Sequence, residues 1–464
     1  MIPVSSLMAM RTRPDRSYFR VLVVVAALCF AIPSNAADWP QWRGQNRDAV
    51  LRDTGWLKSF PDNGLHTVWR IPIRPGYSGP AVAGDRLYVM DRLETKRLER
   101  KPGDKSIPAI EGKERVLCLD AHTGATNWEH SYESAYRIDY PGGPRTTPLL
   151  HRGNVFTLGA MGDLRCFDAK SGKLAWSRQF LTDFNLPNPP LWGWAAHPIL
   201  VGSNLICTVG GDGSGVVAFD RANGKESWRA LASKEIGYAP PTLATINGKS
   251  QLVIWLTDVL AGLDPETGRT NWTFPYPAEG KAQRPEVTVS TPIVKDDHVF
   301  VSTFYHGALL LRISNGVPIV AWNRKSTSKS TFNDGLHTVM CTPVFHERAI
   351  FGVCGMGELR CLDEKTGDRL WETYDATGGK KGLFANAFFI QHDSGFYIWN
   401  DQGELISARL TMKGYEEISR AKLLEPTEHA RGRMIVWSHP AFADHRIYVR
   451  NNEELICASL AEKS

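Results

Sequence analysis

Short stretches of alternating hydrophobic and polar residues recur along most of the chain. Pro80–Val89 and Pro148–Phe156 each place two apolar runs on either side of a Gly-containing turn. Alternation with a period of two residues, interrupted by Gly, Asn or Asp, is typical of β-hairpins. The equivalent stretches begin at Pro198, Pro240, Pro292, Pro343, Ala387 and Pro440.

A second unit follows each of these stretches, and it is the clearest internal repeat of the sequence. It consists of an apolar residue, Cys or Ala, another apolar residue and Asp, then a Gly four residues later and a Trp four residues after that Gly. The five complete copies contain Asp120, Gly124 and Trp128; Asp168, Gly172 and Trp176; Asp220, Gly224 and Trp228; Asp264, Gly268 and Trp272; and Asp363, Gly367 and Trp371. A weaker copy ends at Trp322, and two degenerate copies lie near Ile406 and Ile456.

The repeated Asp, Gly and Trp have structural explanations. The Asp carboxylate can accept backbone N–H groups two or three residues further on, and the Gly supplies the positive φ of the turn. The Trp lies on the outer strand, where it can pack between neighbouring repeats. We therefore interpret these residues as parts of the fold and not as catalytic groups.

Together, the two units predict four antiparallel strands per repeat, which is one blade of a β-propeller. The Pro-led stretches give eight blades. Val68–Arg70 precedes the first complete blade and carries Trp69 at the outer-strand position. We expect it to pair with the C-terminal strands near Leu455–Cys457 and to close the ring, which hides two sheet edges. The predicted fold class is all-β, an eight-bladed propeller.

The first 36 residues have the composition of a signal peptide. Four Arg precede the apolar stretch Val21–Ile32, and Ser34 and Ala36 provide a cleavage pattern. As a helix this stretch is about 18 Å long, shorter than the roughly 30 Å hydrocarbon core, which disfavours the alternative of a membrane anchor. Leu28 before Cys29 disfavours a lipoprotein, since a lipobox has a small residue there. We expect 1–36 to be a signal peptide and 37–464 a single propeller domain, exported to the periplasm or the outside.

Charge and cysteine content exclude some classes of partner and bond. The formal charge of +5 falls to about +2 without the leader, which argues against nucleic acid, since phosphate binding needs a strongly basic face. Of the eight cysteines, seven follow the leader. An odd number cannot all pair within one chain, and several occupy the same repeat position. We expect structural thiols, with a Cys354–Cys361 disulfide as the alternative.

The repeats resemble the pyrroloquinoline quinone (PQQ)-like repeat family. Its members include quinoprotein dehydrogenases and the propeller subunit of the bacterial outer-membrane assembly machine. The segments Asp38–Asp48 and Tyr140–Pro148 are also similar to secreted propellers of planctomycete-type bacteria. The resemblance spans residues 38–460 and implies the fold more strongly than a function.

The enzymes of that family hold PQQ and Ca²⁺ in the central funnel, above a Trp and beside a disulfide of adjacent cysteines. This sequence has no Cys-Cys pair, no evident acidic cluster for Ca²⁺ and no C-x-x-C-H haem motif. We therefore expect no cofactor and no metal.

Candidate ligand- or partner-binding residues are those expected to face the funnel, directly before the Pro-led strands. They are Arg145, Trp194, His197, Tyr238, His337 and His439. Arg145 could hold a carboxylate or phosphate. His197 and His439 occupy equivalent positions and could meet a ligand, or they could cap strand ends; blades so far apart in the chain are expected to keep them too distant to share a metal. The loop Leu191–Trp194 could stack on a sugar or peptide, or serve packing.

These observations favour an exported, non-catalytic binding or scaffold protein of the cell envelope. It would be a monomer whose propeller face engages a protein, peptide or glycan, with no membrane-spanning segment. The alternatives are a PQQ-dependent oxidoreductase and a carbohydrate-active propeller that uses the funnel. The charged stretch Arg92–Arg115 is a solvated loop or a rim for an acidic partner.

Overall fold

The computed structural model describes residues 37–98, 107–233, 235–277, 285–324, 335–393 and 395–462. The expected signal peptide lies outside these residues. Within them, eight four-stranded antiparallel sheets form the blades of a propeller, as the repeat predicted. The inner strands of neighbouring blades contact one another around a central channel.

The first strand, β1 (Thr67–Pro72), precedes blades 1 to 4. From the channel outwards, blade 1 contains β2 (Ala81–Ala83), β3 (Arg86–Arg97), β4 (Ile110–Asp120) and β5 (Thr126–Glu133). Blade 2 contains β6 (Leu149–His151), β7 (Asn154–Leu158), β8 (Asp163–Asp168) and β9 (Leu174–Gln179), and the short helix α1 (Phe180–Asp183) follows it. Blade 3 contains β10 (Ile199–Val201), β11 (Asn204–Thr208), β12 (Val216–Asp220) and β13 (Glu226–Ala230). Blade 4 contains β14 (Thr242–Ile246), β15 (Lys249–Trp255), β16 (Val259–Leu263) and β17 (Thr270–Pro275).

Blades 5 to 8 have the same order of strands. Blade 5 contains β18 (Ile293–Lys295), β19 (His298–Thr303), β20 (Gly307–Ser314) and β21 (Val317–Arg324). Blade 6 contains β22 (Val344–His346), β23 (Ala349–Val353), β24 (Leu359–Asp363) and β25 (Arg369–Thr373), followed by a 3₁₀ turn (Asp375–Thr377). Blade 7 contains β26 (Ala387–His392), β27 (Gly395–Asn400), β28 (Glu404–Thr411) and β29 (Gly414–Lys422). A small hairpin, β30 (Glu428–Ala430) and β31 (Arg433–Ile435), precedes β32 (Ala441–Ala443), β33 (Arg446–Arg450) and β34 (Glu454–Ser459) of blade 8.

The N-terminal strand closes the ring, as the position of Trp69 predicted. Strand β1 is the outer strand of blade 8, where Trp69 stands opposite Cys457 of β34. The indole N–H of Trp69 donates to the carbonyl of Ala121 in blade 1, 3.0 Å away. Because β1 pairs with β34, the last strand of the chain has a partner on each side and presents no unpaired edge.

The Asp of each complete repeat binds the turn that follows it, as its position in the repeat predicted. In blade 1 the Asp120 carboxylate accepts the backbone N–H of His122 at 3.0 Å and of Thr123 at 2.8 Å. Corresponding bonds are formed by Asp168, Asp220, Asp264 and Asp363. The same carboxylates therefore stabilise the hairpin turns of the blades.

The repeated Gly has a second role besides its turn. Gly172 has φ of +71°, and a β-carbon built on it would lie 2.6 Å from Cδ2 of Trp128 in the preceding blade. Trp128 in turn donates its indole N–H to the carbonyl of Ala169, 3.0 Å away. The Trp of one blade therefore lies against the Gly of the next, and any side chain at that Gly would displace it.

The seven cysteines of the described residues are buried, unpaired thiols. Cys354 lies just beyond β23, whereas Cys361 lies within β24 and faces Trp371. The alternative of a Cys354–Cys361 disulfide is therefore wrong, and the packing interpretation is confirmed. Among all the residues that the structure describes, no helix is long and apolar enough to cross a membrane.

Candidate functional site: the central channel and its two mouths

The segment before β1 crosses the channel and is here called the plug (residues 39–51). Trp39 exchanges backbone hydrogen bonds with Val82 of blade 1, at 2.9 and 2.8 Å, and Leu51 donates to Gln391 of blade 7 at 2.8 Å. The plug is thereby fastened to inner strands of blades 1 and 7.

The two mouths of the channel differ. We call the face with the turns that end the inner strands the turn face, and the face with the connections between blades the loop face. Val82 lies just before the turn at Gly84, and Leu150, which donates to the plug at Pro40, lies just before the turn at Gly153. The plug therefore enters the channel from the turn face.

Two predicted site residues meet at the plug. His197 of blade 3 and His439 of blade 8 have ring centroids 5.2 Å apart, edge to face. Trp42 of the plug stacks on His197, with centroids 4.6 Å apart and planes inclined by 10°, and meets the His439 ring at 6.0 Å. The expectation that these histidines are far apart is wrong, because both inner strands converge on one indole ring.

The surroundings keep both imidazoles neutral. Burial holds the pKa of His197 well below its ordinary value, with His439 and Arg47 adding to the effect. Burial, together with Arg43, lowers the pKa of His439 to about 3. The Nδ1 of His197 accepts the backbone N–H of Thr147 at 3.0 Å, so its neutral form carries the proton on Nε2.

Two arginines of the plug lie within the channel. Arg47 donates to the carbonyl of Pro198 at 2.8 Å and to that of His197 at 3.3 Å, which joins the plug to blade 3. Arg43 donates to the carbonyl of Asp48 at 3.1 Å. Burial lowers the pKa of Arg43 to about 10 and that of Arg47 to about 9, because the charged guanidinium is poorly solvated there.

The loop-face mouth carries a cluster of aromatic side chains. Tyr140 and Trp437 have ring centroids 5.5 Å apart, and Tyr77 lies 6.4 Å from Trp437. Trp192 packs against Tyr238 at 4.8 Å. Tyr140, Trp192 and Trp437 are half-buried, whereas Tyr77 and Tyr238 are buried. We call these five residues the aromatic cluster.

The buried tyrosines of the aromatic cluster are fixed by hydrogen bonds. The Tyr77 hydroxyl donates to Glu428 Oε1 at 3.2 Å, and the Tyr238 hydroxyl accepts the N–H of Trp192 at 3.4 Å. Burial raises the pKa of both phenols, and Glu428 contributes to the shift at Tyr77. Both phenols are therefore uncharged, and their rings pack against the half-buried rings of Trp437 and Trp192.

Arg145 lies beside this cluster but is committed to its own loop. Its guanidinium donates to the carbonyls of Asp139 at 3.0 Å, of Tyr140 at 2.5 Å and of Gly143. It also lies over the Tyr77 ring, 5.2 Å from the centroid. Through these contacts, Arg145 stabilises the loop that carries Tyr140.

Two further predicted residues lie inside the fold. Trp194 is 1% exposed, and its indole N–H donates to the carbonyl of Val209 at 3.0 Å. His337 is fully buried, with Nδ1 3.0 Å from the carbonyl of Phe304, and burial lowers its pKa to about 4. In the loop Leu191–Trp194, the ring that reaches the surface is therefore Trp192.

Sequence reasoning missed the residues of the plug as part of the site. Trp42, Arg43 and Arg47 lie in the segment Asp38–Asp48, which was informative only as a resemblance. A usable signal exists, since these residues precede the repeats and have no counterpart in any blade. Residues that blade construction does not explain are therefore the first candidates for a functional site.

No described cluster offers a metal site: residues 37–462, apart from the gaps given above, contain no group of three or more His, Cys, Asp or Glu arranged to hold an ion. His197 and His439 lie together, but the surrounding charges are those of Arg43 and Arg47. A cation at this place would face two guanidinium groups.

The family model described as outer membrane protein assembly factor BamB matches residues 54–177 and 112–373. The chain belongs to this family. The crystal structure of BamB from Moraxella catarrhalis superposes with a TM-score of 0.54 at 16% identity, covering 85% of this chain and 99% of that one. This likeness agrees with the propeller fold.

Curated relatives are distant. The chain is 25% identical over 256 residues to the uncharacterized protein RC0314 of Rickettsia conorii, covering 54% of this chain and 58% of the relative. It is 24% identical over 239 residues to outer membrane protein assembly factor BamB of Burkholderia pseudomallei, covering 49% and 54%. The match thus spans little more than half the length of these relatives.

Proposed function

We propose that this chain is an exported, non-catalytic binding protein of the cell envelope, which engages a protein partner through the loop face. The observation that carries the proposal is the aromatic cluster, with Tyr140, Trp192 and Trp437 half-buried at the mouth opposite the plug. Aromatic side chains and Arg dominate the energetics of protein interfaces. Membership in the BamB family, in which the Burkholderia relative is named an outer membrane protein assembly factor, supports an envelope role.

The hairpin β30–β31 extends this surface. Arg431 at its tip is exposed, and its Nε donates to the Tyr140 hydroxyl at 3.2 Å. Met434 on the same hairpin is 45% exposed. Aromatic, Arg and Met side chains are the residue types enriched at interface centres, and the loop face brings all three together.

We propose that the plug takes up channel space that the funnel cofactor of the quinoprotein dehydrogenases would need. Trp42 and Arg43 of the plug occupy the channel from the turn face, and the cavity beside them measures only about 30 Å³. That space suits one or two water-sized molecules and not a fused-ring quinone. The two guanidinium groups also oppose a Ca²⁺ ion. We therefore propose that the chain works without PQQ.

Site-specific photo-cross-linking in living cells tests the proposed surface. A photo-reactive amino acid replaces Trp192 or Trp437 on the loop face, and Leu370, which is 41% exposed on the outer strand β25, provides the matched control. After irradiation, we expect one discrete adduct with an envelope protein from positions 192 and 437 and none from position 370.

The opposite pattern would contradict the proposal. Adducts from position 370 with none from 192 and 437 would place the partner on the outer strands. The absence of any adduct from all three positions, in cells that export the folded protein, would remove the binding function itself.

A further inference from the structure

A small cavity lies beside the plug, within the channel. Its volume is about 30 Å³, and its lining includes Trp42, Arg43, Thr342, Phe388 and His439. A cavity of this size holds one or two water molecules or a monatomic ion. It is separate from the aromatic cluster, whose residues do not line it.

Two polar groups of the lining have no partner among the described residues. Trp42 is 4% exposed, and its indole N–H has no acceptor; Nδ1 of His439 also lacks a partner. A buried indole N–H ordinarily has an acceptor. An acceptor inside the cavity would satisfy the N–H of Trp42, and a His439 protonated on Nδ1 would be a second donor.

Arg43 brings a positive charge to the lining of the cavity. Its described hydrogen bond goes to the carbonyl of Asp48. The Asp48 carboxylate is itself bound by Arg52 at 2.5 Å. Arg47 also lies over the Trp42 ring, 5.3 Å from the centroid, and donates to carbonyl groups.

We propose that this cavity binds a small monovalent anion of the size of chloride, held by the guanidinium group of Arg43 and the indole N–H of Trp42. A water molecule would satisfy the indole N–H but would bring no negative charge to the guanidinium group of Arg43, which lines the cavity. An anion does both. The site would fasten the plug inside the channel, because both ligands belong to the plug while Thr342 and His439 belong to the blades.

Bromide is the direct probe, since it replaces chloride and scatters X-rays anomalously. Crystals of the mature protein are soaked in sodium bromide, and anomalous difference maps are computed for the wild type and the variants Arg43→Gln and Trp42→Phe. Arg70→Gln is the control, because Arg70 is exposed on β1, pairs with Glu454 and does not line the cavity. We expect a peak within hydrogen-bond distance of Arg43 and Trp42 in the wild type and the control, and its loss in Arg43→Gln.

Thermal unfolding gives a readout that does not depend on crystals. We compare sodium bromide with sodium gluconate at equal ionic strength. A ligand that binds only the folded state raises the Tm, so we expect the wild type and Arg70→Gln to gain at least about 1 °C in bromide, and Arg43→Gln and Trp42→Phe to gain less than half of that.

The results that would overturn the inference are equally definite. Water alone in the cavity of bromide-soaked crystals would refute it. So would an equal bromide effect on the Tm of the wild type and of both site variants, since the effect would then arise elsewhere. Circular dichroism of each variant checks that the propeller is folded.

Discussion

His197 and His439 lie edge to face across the channel, with ring centroids 5.2 Å apart, although they belong to blades 3 and 8. The relationship depends on the plug, because the indole ring of Trp42 stacks on His197 and also meets His439. The N-terminal segment thus joins inner strands that are not neighbours in the ring.

Removal of the Trp42 ring should destabilise the propeller. Trp42 is 4% exposed, and truncation of a buried Trp to Ala costs roughly 3–5 kcal/mol. We expect Trp42→Ala to lower the free energy of unfolding by that amount in urea titrations. Trp192→Ala, at a half-buried ring, is the control and should lose less than about 2 kcal/mol. Equal losses would mean that the plug contributes little to stability.

The two histidines should make stability fall in acid. Their pKa values lie below the ordinary value in the folded protein, so below about pH 6.5 the unfolded chain takes up protons that the folded chain does not. Their stabilising contribution is present above pH 6.5 and is lost as the pH falls towards 3. We expect the double variant His197→Gln/His439→Gln to show a shallower decrease of unfolding free energy between pH 7 and 4.

The control for this pH dependence is His122→Gln, which changes an exposed histidine on the Asp120 turn. It should keep the slope of the wild type. If the double variant also keeps that slope, the buried imidazoles do not titrate as described, and acidic groups account for the acid sensitivity.

The Gly of the repeat should be irreplaceable where a Trp lies against it. Gly172→Ala introduces a left-handed alanine and a contact of 2.6 Å with Trp128, and we expect a loss of roughly 2–5 kcal/mol. Gly153→Ala in the same blade also has positive φ, +78°, but meets nothing within 4 Å, so only about 1–2 kcal/mol should be lost. Thermal or urea unfolding measures both, and a ranking in reverse would contradict the role assigned to the Trp.

Pyrroloquinoline quinone should have no specific effect on this protein. Because the plug fills the channel from the turn face, we expect neither a change in quinone absorbance nor dye-linked alcohol oxidation when the quinone and Ca²⁺ are added to the purified mature protein. Turnover, or binding at micromolar quinone, would contradict the proposal and would favour the oxidoreductase alternative.

The repeat was sufficient to predict the fold because each blade is built from local signals. The Asp of the turn, the Gly with positive φ and the outer-strand Trp lie within nine residues of one another in the complete copies, so their geometry follows from spacing alone. Even ring closure could be predicted, since Trp69 occupies an outer-strand position with no blade before it.

The channel was less predictable because its contents come from a segment that occurs once. Nothing in the spacing of Trp42 or Arg47 says which blades they touch, and the meeting of His197 with His439 depends on where that segment lies. The side chains of residues shortly before the inner strands also lie in different places. Tyr238 belongs to the aromatic cluster, whereas Trp194 is buried within the fold. Such differences are set by tertiary packing and not by local pattern.

The most direct test of the proposed binding function is quantitative co-purification from cross-linked envelope extracts. The double variant Trp192→Ala/Trp437→Ala is compared with the wild type and with Leu370→Ala, all folded by circular dichroism. We expect the amount of recovered partner to fall at least tenfold, which corresponds to about 1.4 kcal/mol, in the double variant and to remain unchanged in Leu370→Ala. Equal recovery with all three proteins would contradict the assignment of the loop face as the binding surface.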